Sequence, residues 1–233
     1  MPTEACYRCL RELLQHGAFS EAVWSAFMHD PLLGVQILRD DGAILFINDP
    51  AARLIYGETY KAEDCINRNA REFLPHQFYE ERVSTLKVLA RENKTRVSRG
   101  IVNGRQLVST LIPISAPESI AQGHGVFLAL TRHVVGPVKQ MVGADDAGSL
   151  VVTRTLRLGP LDCLSPRELE ILAMIGLGMS TPEISKRLSR SANTINDHRK
   201  SISRKLGVTK RARLAEVAQI AGLTPEDASR VRT

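Results

Sequence analysis

Residues 164–214, LSPRELEILAMIGLGMSTPEISKRLSRSANTINDHRKSISRKLGVTKRARL, decide the fold of the last third of the chain. Ser165, a proline and then Glu168 form a capping box, in which a hydroxyl and a carboxylate satisfy N–H groups of the first helical turn. A second, short helix is predicted to begin at Thr181, and Ser191 is predicted to cap a third. Thr209 opens a fourth helix, in which basic and apolar residues continue at helical spacing. The sequence therefore predicts four helices here.

The third helix, which starts after Ser191, has two different faces. Projected at about 100° per residue, Ile195, Ile202 and Leu206 fall on one face and must pack on the first two helices. The opposite face carries side-chain types that hydrogen-bond bases and phosphates in the major groove of DNA. We expect base contacts from Asn193, Asn196, Asp197 and Lys200, and contacts to the DNA backbone from Thr194, Arg199, Arg204, Lys205 and Lys210.

The charge of the chain is concentrated in the same region. The whole protein has a net charge of +6, and residues 186–213 alone hold 10 Lys and Arg against one Asp. Clustered basic side chains displace the counterions that surround a polyanion. Two short helices joined by a tight turn, the second of them basic, form a helix-turn-helix. Double-stranded DNA is therefore the expected partner.

Residues 161–226 closely resemble the DNA-binding domain of LuxR-type (GerE-like) transcription regulators. The chain meets the patterns L-[ST]-x-R-E-x-E-[IV]-L, T-[IV]-x-x-H and K-[LM]-G-[VI] of that family. The resemblance implies a third helix in the major groove and a fourth helix that supports a homodimer. Asn196 stands where many members have Lys, and Asp197 is an acidic residue on the contacting face, so the target sequence stays open.

The part of the chain before residue 135 is rich in short apolar runs. GVQILRDDGAILFIN, residues 34–48, reads as a hairpin, and RVSRGIVNGRQLVSTLIPI, residues 96–114, reads as another around Asn103 and Gly104. A third apolar run follows Gly125. With helices between the hairpins, the pattern predicts an antiparallel five-stranded sheet covered by helices.

Residues 31–134 resemble a PAS domain through this element order. The expected fold is an α+β PAS-like sensory domain followed by an all-α, four-helix helix-turn-helix domain. Residues 1–30 are expected to form a helical cap or dimer helix, and residues 135–160, with four glycines, a linker in which SLVVTRTLRLG forms a strand.

The residues do not assign a cofactor or a metal to the sensory part. The long helix before the second hairpin holds Lys87 but no His to ligate haem, and His76 precedes it. Ala70 stands where flavin-binding photoreceptors of this fold have a reactive Cys. Cys6 and Cys9 form a CxxC pair without a second pair, so zinc would need two ligands from elsewhere. The sequence does not determine whether the sensory part binds a small-molecule ligand.

Several function classes are disfavoured by what the sequence lacks. There is no phosphate-binding loop, metalloprotease motif or nucleophile elbow, so an enzyme is not expected. The first half does not alternate strands and helices as a phosphorylated receiver domain would. Receptors for acyl-homoserine lactones have a pocket rich in Trp and Tyr, whereas Trp24 is the single tryptophan of this chain. A receptor of that class is therefore not expected.

The composition of the chain predicts a cytoplasmic protein. The chain of 233 residues is 43% hydrophobic and 24% charged, and no apolar run approaches a membrane span. Four cysteines are too few for a disulfide framework.

The predicted function is sequence-specific transcription regulation in which the PAS-like domain senses a small ligand. The alternative is a PAS-like domain that serves only for dimerisation or for binding a partner protein.

Overall fold

A computed structural model describes residues 17–136, 138 and 150–233. The sheet and the helices before residue 134 enclose a first hydrophobic core, which consists of two clusters of buried side chains. The helices after residue 165 enclose a second core. Among the described residues, no helix has the length and apolarity needed to cross a membrane.

The first part of the chain alternates short helices with the strands of one sheet. Its elements are α1 (Gly17–His29), β1 (Gly34–Arg39), β2 (Ile44–Ile47), α2 (Asp49–Ile55), α3 (Ala62–Cys65), α4 (His76–Glu92), β3 (Arg96–Val102), β4 (Arg105–Ile114), α5 (Glu118–Ala121) and β5 (Val126–His133).

These five strands form an antiparallel sheet in the order β2-β1-β5-β4-β3, which confirms the predicted fold class. A sixth strand, β6 (Leu150–Val152), pairs in parallel with β3. It comes from the segment that the sequence predicts as a linker, and it agrees with the strand expected for SLVVTRTLRLG. Residues 139–149 of that segment lie outside the described residues.

Local chemistry explains the turns and caps of the sheet. Asn103 and Gly104 have φ angles of 51° and 73°, as the β3–β4 turn requires. The side-chain oxygen of Asn48 accepts hydrogen bonds from the backbone N–H groups of Ala51 and Val35, at 3.0 and 2.9 Å. A single amide thus caps α2 and fastens it to β1.

The first core lies between the sheet and helices α2 to α4. Ile44, Ile47, Val102 and Leu107 from the strands meet Phe78 and other side chains from the helices. On the N-terminal helix, the ring of Trp24 packs against Phe46 of β2, with centroids 5.7 Å apart. The first sixteen residues, which include Cys6 and Cys9, lie outside the described part of the chain.

The last third of the chain consists of four α-helices, two short strands and two 3-10 helices. Its elements are β7 (Thr155–Leu156), α6 (Pro166–Gly176), α7 (Thr181–Leu188), α8 (Ala192–Leu206), α9 (Arg211–Ile220) and β8 (Val231–Arg232). The helices share a core with Leu156, Leu158 and Ile101. Ile101 belongs to β3, so the second core reaches the sheet of the first.

The predicted helix starts are confirmed to within one residue. Ser165 and Ser191 cap α6 and α8 as expected. Helix α7 begins at Thr181 as predicted, and its cap is Ser180, whose hydroxyl forms a further capping box with Glu183. Helix α9 begins after Lys210, one residue later than predicted from Thr209.

Gly176 allows α6 and α9 to pack closely. A Cβ atom at this position would lie 2.6 Å from the Cβ of Ala218. We expect Gly176→Ala to lower the free energy of unfolding by about 1–3 kcal/mol through overpacking, although alanine alone favours a helix.

Urea denaturation of four proteins tests this: wild type, Gly176→Ala, Ala218→Gly and the double variant. The double variant should be more stable than the sum of the single effects, because removing the Ala218 methyl makes room for the new one. A Gly176→Ala protein as stable as wild type would contradict the close packing.

Candidate nucleic-acid interface

Helix α8 presents the polar face that the sequence predicts. Ile195 and Ile202 are fully buried, and Leu206 packs against the same core. Of the predicted contact residues, those that are exposed are Asn193, Asp197, Lys200, Arg204, Lys205 and Lys210, and those that are half-buried are Thr194, Asn196 and Arg199. The Ser191 hydroxyl accepts the Thr194 N–H at 3.1 Å, and Gly207 ends the helix with a φ of 64°.

A groove of about 710 Å³ runs along this face between α8 and the start of α9. Five of the nine predicted contact residues line it: Asn193, Asn196, Asp197, Arg199 and Lys200. The groove also includes Ser203, Thr209, Arg211 and Leu214, which the sequence analysis did not assign. The chain turns back at Gly207, and the helical projection of α8 alone could not place α9 beside it. The positive charge of Arg211 was the one feature of the sequence that could have indicated these additional groove residues.

Buried Glu168 connects α8 to α6. Its carboxylate accepts hydrogen bonds from the Ser165 N–H at 2.7 Å, the Ser201 hydroxyl at 2.7 Å and the Lys205 ammonium at 2.6 Å. Burial raises the pKa of this carboxyl, but the bonds from Lys205, Ser201 and Ser165 outweigh burial and lower the pKa from 4.5 to about 2. One charged side chain thus caps α6 and fixes the orientation of α8.

Two of the predicted contact residues are bonded to side chains of other helices. Lys205 forms its ion pair with Glu168, and the Arg199 guanidinium donates to the Thr181 hydroxyl at 2.9 Å. Both contacts hold α8 against other helices. Lys205 therefore has a structural role that the sequence analysis, which assigned it to a phosphate, did not include.

Lys200 and Asp197 are neighbours on the exposed face. The Lys200 ammonium lies 3.9 Å from the Asp197 carboxylate, and both side chains are largely exposed. An exposed pair of this kind contributes little to stability. Both groups therefore stay accessible to the edges of bases.

The interior of the sensory part holds a chain of polar groups. Gln36 donates to the buried Tyr56 hydroxyl at 3.0 Å, and Arg82 donates to the Gln36 carbonyl at 3.1 Å. Burial raises the pKa of Tyr56. A cavity of about 60 Å³ lies beside this chain, lined by Arg82 together with Phe78, Glu81, Thr85, Leu86, Ser98, Ser109, Leu111, Thr153 and Thr155.

Cysteine and histidine residues form no metal cluster in the described part of the chain. Cys65 is buried, and desolvation raises its thiol pKa to about 11. Cys163 is exposed and donates to the Pro160 carbonyl. His76 is largely exposed at the start of α4.

The family model described as "Bacterial regulatory proteins, luxR family" matches residues 162–218. The C-terminal domain is of the LuxR type. The matched residues contain α6, α7 and the whole of α8, together with the capping box at Ser165. The predicted resemblance to LuxR-type regulators is thus confirmed for these residues.

Curated relatives are similar to a part of this chain. The regulatory protein RcsB of Escherichia coli K12 is 39% identical over 64 residues, which are 28% of this chain and 30% of RcsB. The chain thus covers about a third or less of the curated relatives that it matches.

Two solved structures are similar at low identity. The VqmA–ligand–DNA complex of Vibrio cholerae is 18% identical, with 88% of this chain and 91% of that chain covered and a TM-score of 0.45. The PAS domain of an HTR-like protein from Haloarcula marismortui is 19% identical, with 51% and 100% covered and a TM-score of 0.35. The five antiparallel strands with α2 to α4 on one face make the fold before the LuxR-type domain PAS-like.

Glu168 makes the stability of the LuxR-type domain depend on acidic pH. A lowered pKa stabilises the folded state fully above about pH 4.5, and this contribution is lost as the pH falls towards 2. Glu168→Gln should reduce the free energy of unfolding by about 2 kcal/mol at pH 7, because Lys205 and Ser201 lose a charged acceptor.

Unfolding of wild type and Glu168→Gln, measured by circular dichroism from pH 7 to pH 2, checks this expectation. The difference between them should shrink below pH 4.5. Glu216→Gln, which removes an exposed partner of Arg213, serves as the control. A constant difference across the pH range would refute the role of the Glu168 charge.

Proposed function

We propose that the protein is a sequence-specific, DNA-binding transcription regulator that works as a homodimer. The observation that carries the proposal is the exposed polar face of α8, held on a LuxR-type domain by Glu168 and flanked by a run of basic residues. An α-helix of this kind fits the major groove, where amide, carboxylate and ammonium groups can read base edges.

The groove supports a division between base and phosphate contacts. Asn193, Asn196, Asp197 and Lys200 lie together on the groove wall and would face the bases. Thr194, Arg204 and Lys210 lie outside it, in positions suited to the DNA backbone, and Arg199 and Lys205 would orient α8 while adding positive charge.

Exposed apolar side chains support a dimer joined through the sensory half. Trp24 of α1 is 38% exposed, and Leu32, just after that helix, is 78% exposed. Exposed apolar side chains that form a contiguous patch mark a surface at which a partner can dock. A second copy of the chain would bury them and bring two recognition helices onto one DNA face.

The PAS-like domain supplies the signal in this proposal. Its cavity of about 60 Å³ contains a guanidinium and several hydroxyls, and a small polar ligand would find hydrogen-bond partners there. The same small volume favours the alternative, since common ligand sites measure about 300–1,000 Å³. In that case the domain binds a partner protein and no small molecule.

Lys200→Ala and Lys210→Ala form a matched pair for testing DNA recognition. On a duplex selected from a random library by the wild-type protein, Lys200→Ala should bind about tenfold more weakly, and its loss on random DNA should be smaller. Lys210→Ala should weaken binding to both duplexes equally and reduce the salt slope by about one.

Fluorescence anisotropy at several salt concentrations measures both effects. Lys205 is unsuitable for this comparison because its removal also leaves Glu168 without its cation. If both variants lose the same factor on selected and random DNA, the division between base and phosphate contacts fails. If the wild type selects no sequence at all, the proposed function fails.

Native mass spectrometry of the purified full-length protein tests the dimer and the ligand together. We expect a dimer, and a reproducible extra mass per chain if the cavity holds a ligand. Arg82→Met should then remove that mass, because it takes away the cationic group of the cavity. A dimer without extra mass would favour the partner-protein alternative, and a monomer would contradict the homodimer.

A further inference from the structure

The residues that follow α9 return to the sensory half. Residues 222–232, here named the C-terminal clasp, contain a short 3-10 helix, Pro225–Ser229, and strand β8. Strand β8 pairs in parallel with β7, with Val231 opposite Thr155 and Arg232 opposite Leu156. The clasp lies beyond residue 218, where the LuxR family match ends.

A buried ion pair joins the clasp to the sheet. The Arg99 guanidinium on β3 lies 3.1 and 3.3 Å from the two carboxylate oxygens of Asp227. The side chain of Arg99 is 8% exposed and that of Asp227 is 1% exposed. The guanidinium also donates to the Gly222 carbonyl and, at 2.8 Å, to Gln106 of β4.

Other groups complete the coordination of Asp227. Its carboxylate accepts the Thr224 N–H at 2.9 Å and a bond from Arg230, whose guanidinium also donates to the Thr153 hydroxyl at 3.2 Å. Burial raises the pKa of Asp227, but the bonds and charge of Arg99 lower it below its ordinary value. The pair is therefore ionised and satisfied within the clasp.

A second set of contacts lies at the end of β5. Gln106 donates to the carbonyls of Val134 and Gly136 at 3.0 and 2.7 Å. The His133 ring lies 3.1 Å from the carbonyl of Ile220 at the end of α9. The LuxR-type domain is thus held to the sheet at two points.

A buried ion pair demands a defined geometry. Its desolvation offsets most of its attraction, and an apolar pair of similar size is often as stable. The attraction is kept only when the forked guanidinium meets the carboxylate correctly. The pair therefore matters more for the relative orientation of the two domains than for their stability.

We propose that the Arg99–Asp227 pair determines which spacing between DNA half-sites the dimer accepts. This inference rests on the proposed homodimeric DNA binding. In a dimer joined through its sensory domains, the position of each recognition helix depends on how the LuxR-type domain sits on its own sheet. The clasp fixes that position, so Arg99 and Asp227 act as specificity-determining residues without touching DNA.

Half-site spacing is a sensitive readout of this geometry. In a duplex with about 10.5 base pairs per turn, each inserted base pair moves one half-site by about 3.4 Å and rotates it by about 34°. A rigid dimer loses one of its two contacts after such a change. A dimer with freely oriented domains adjusts to it.

The experiment uses the full-length protein and an inverted-repeat duplex that the wild type selects from a random library. Affinity is measured on this duplex and on versions with one to five base pairs inserted between the half-sites. The test variant is Arg99→Met with Asp227→Asn. The control is Arg105→Met with Glu58→Gln, which removes an exposed ion pair within the sensory domain and changes the net charge equally.

Wild type and control should lose at least tenfold in affinity on insertion of one base pair. The test variant should bind the original duplex within about fivefold of wild type and lose less than threefold on insertion. A test variant with the spacing preference of the wild type would overturn the inference and leave the proposed function intact. A wild type that selects no inverted repeat would overturn the proposed function and this inference with it.

Hydrogen exchange gives a readout that does not need DNA. The amide of Val231 donates to Arg154 and that of Thr233 to Leu156, so both amides should exchange faster in the test variant and not in the control. If the double variant does not fold, Arg99→Lys replaces it, because it keeps the charge and loses the fork. Unchanged exchange together with unchanged spacing preference in Arg99→Lys would overturn the inference.

Discussion

Strand β3 lies between two hydrophobic cores, because successive side chains of a strand point to opposite faces of its sheet. Val102 packs among the sensory helices, whereas its neighbour Ile101 packs into the core of the LuxR-type domain. Leu156 and Leu158 join the second core from the segment after β6. This shared core keeps the LuxR-type domain against the sheet, but hydrophobic burial is non-directional, so the orientation of the domain depends on the polar contacts around the core.

The segment of residues 153–158 also meets the sensory helix α4. The Glu81 carboxylate accepts bonds from the backbone of Arg154 and from the N–H and hydroxyl of Thr155, the last two at 2.8 and 2.5 Å. Thr155 lines the small cavity, and the next residue, Leu156, belongs to the second core. The cavity wall is therefore one residue away from the core of the LuxR-type domain.

Local interactions are the part of the structure that the sequence predicts best. The capping box at Ser165, the turn at Asn103 and the buried face of α8 depend on residues within a few positions of each other. The tie between Lys205 and Glu168 spans 37 positions, and that between Arg99 and Asp227 spans 128. No periodicity in the sequence relates such distant residues, so a phosphate contact was the natural prediction for Lys205.

The long separation of Arg99 and Asp227 also has a consequence for how the protein folds. The β1–β5 pairing of the sheet, which includes Gly34 and Thr131, already closes a long loop, and the clasp closes one of more than a hundred residues and must offset a larger loss of chain entropy. Contacts of this kind form slowly. We therefore expect the two domains to acquire their own structure first, and their fixed orientation to be the last part of the native state to form.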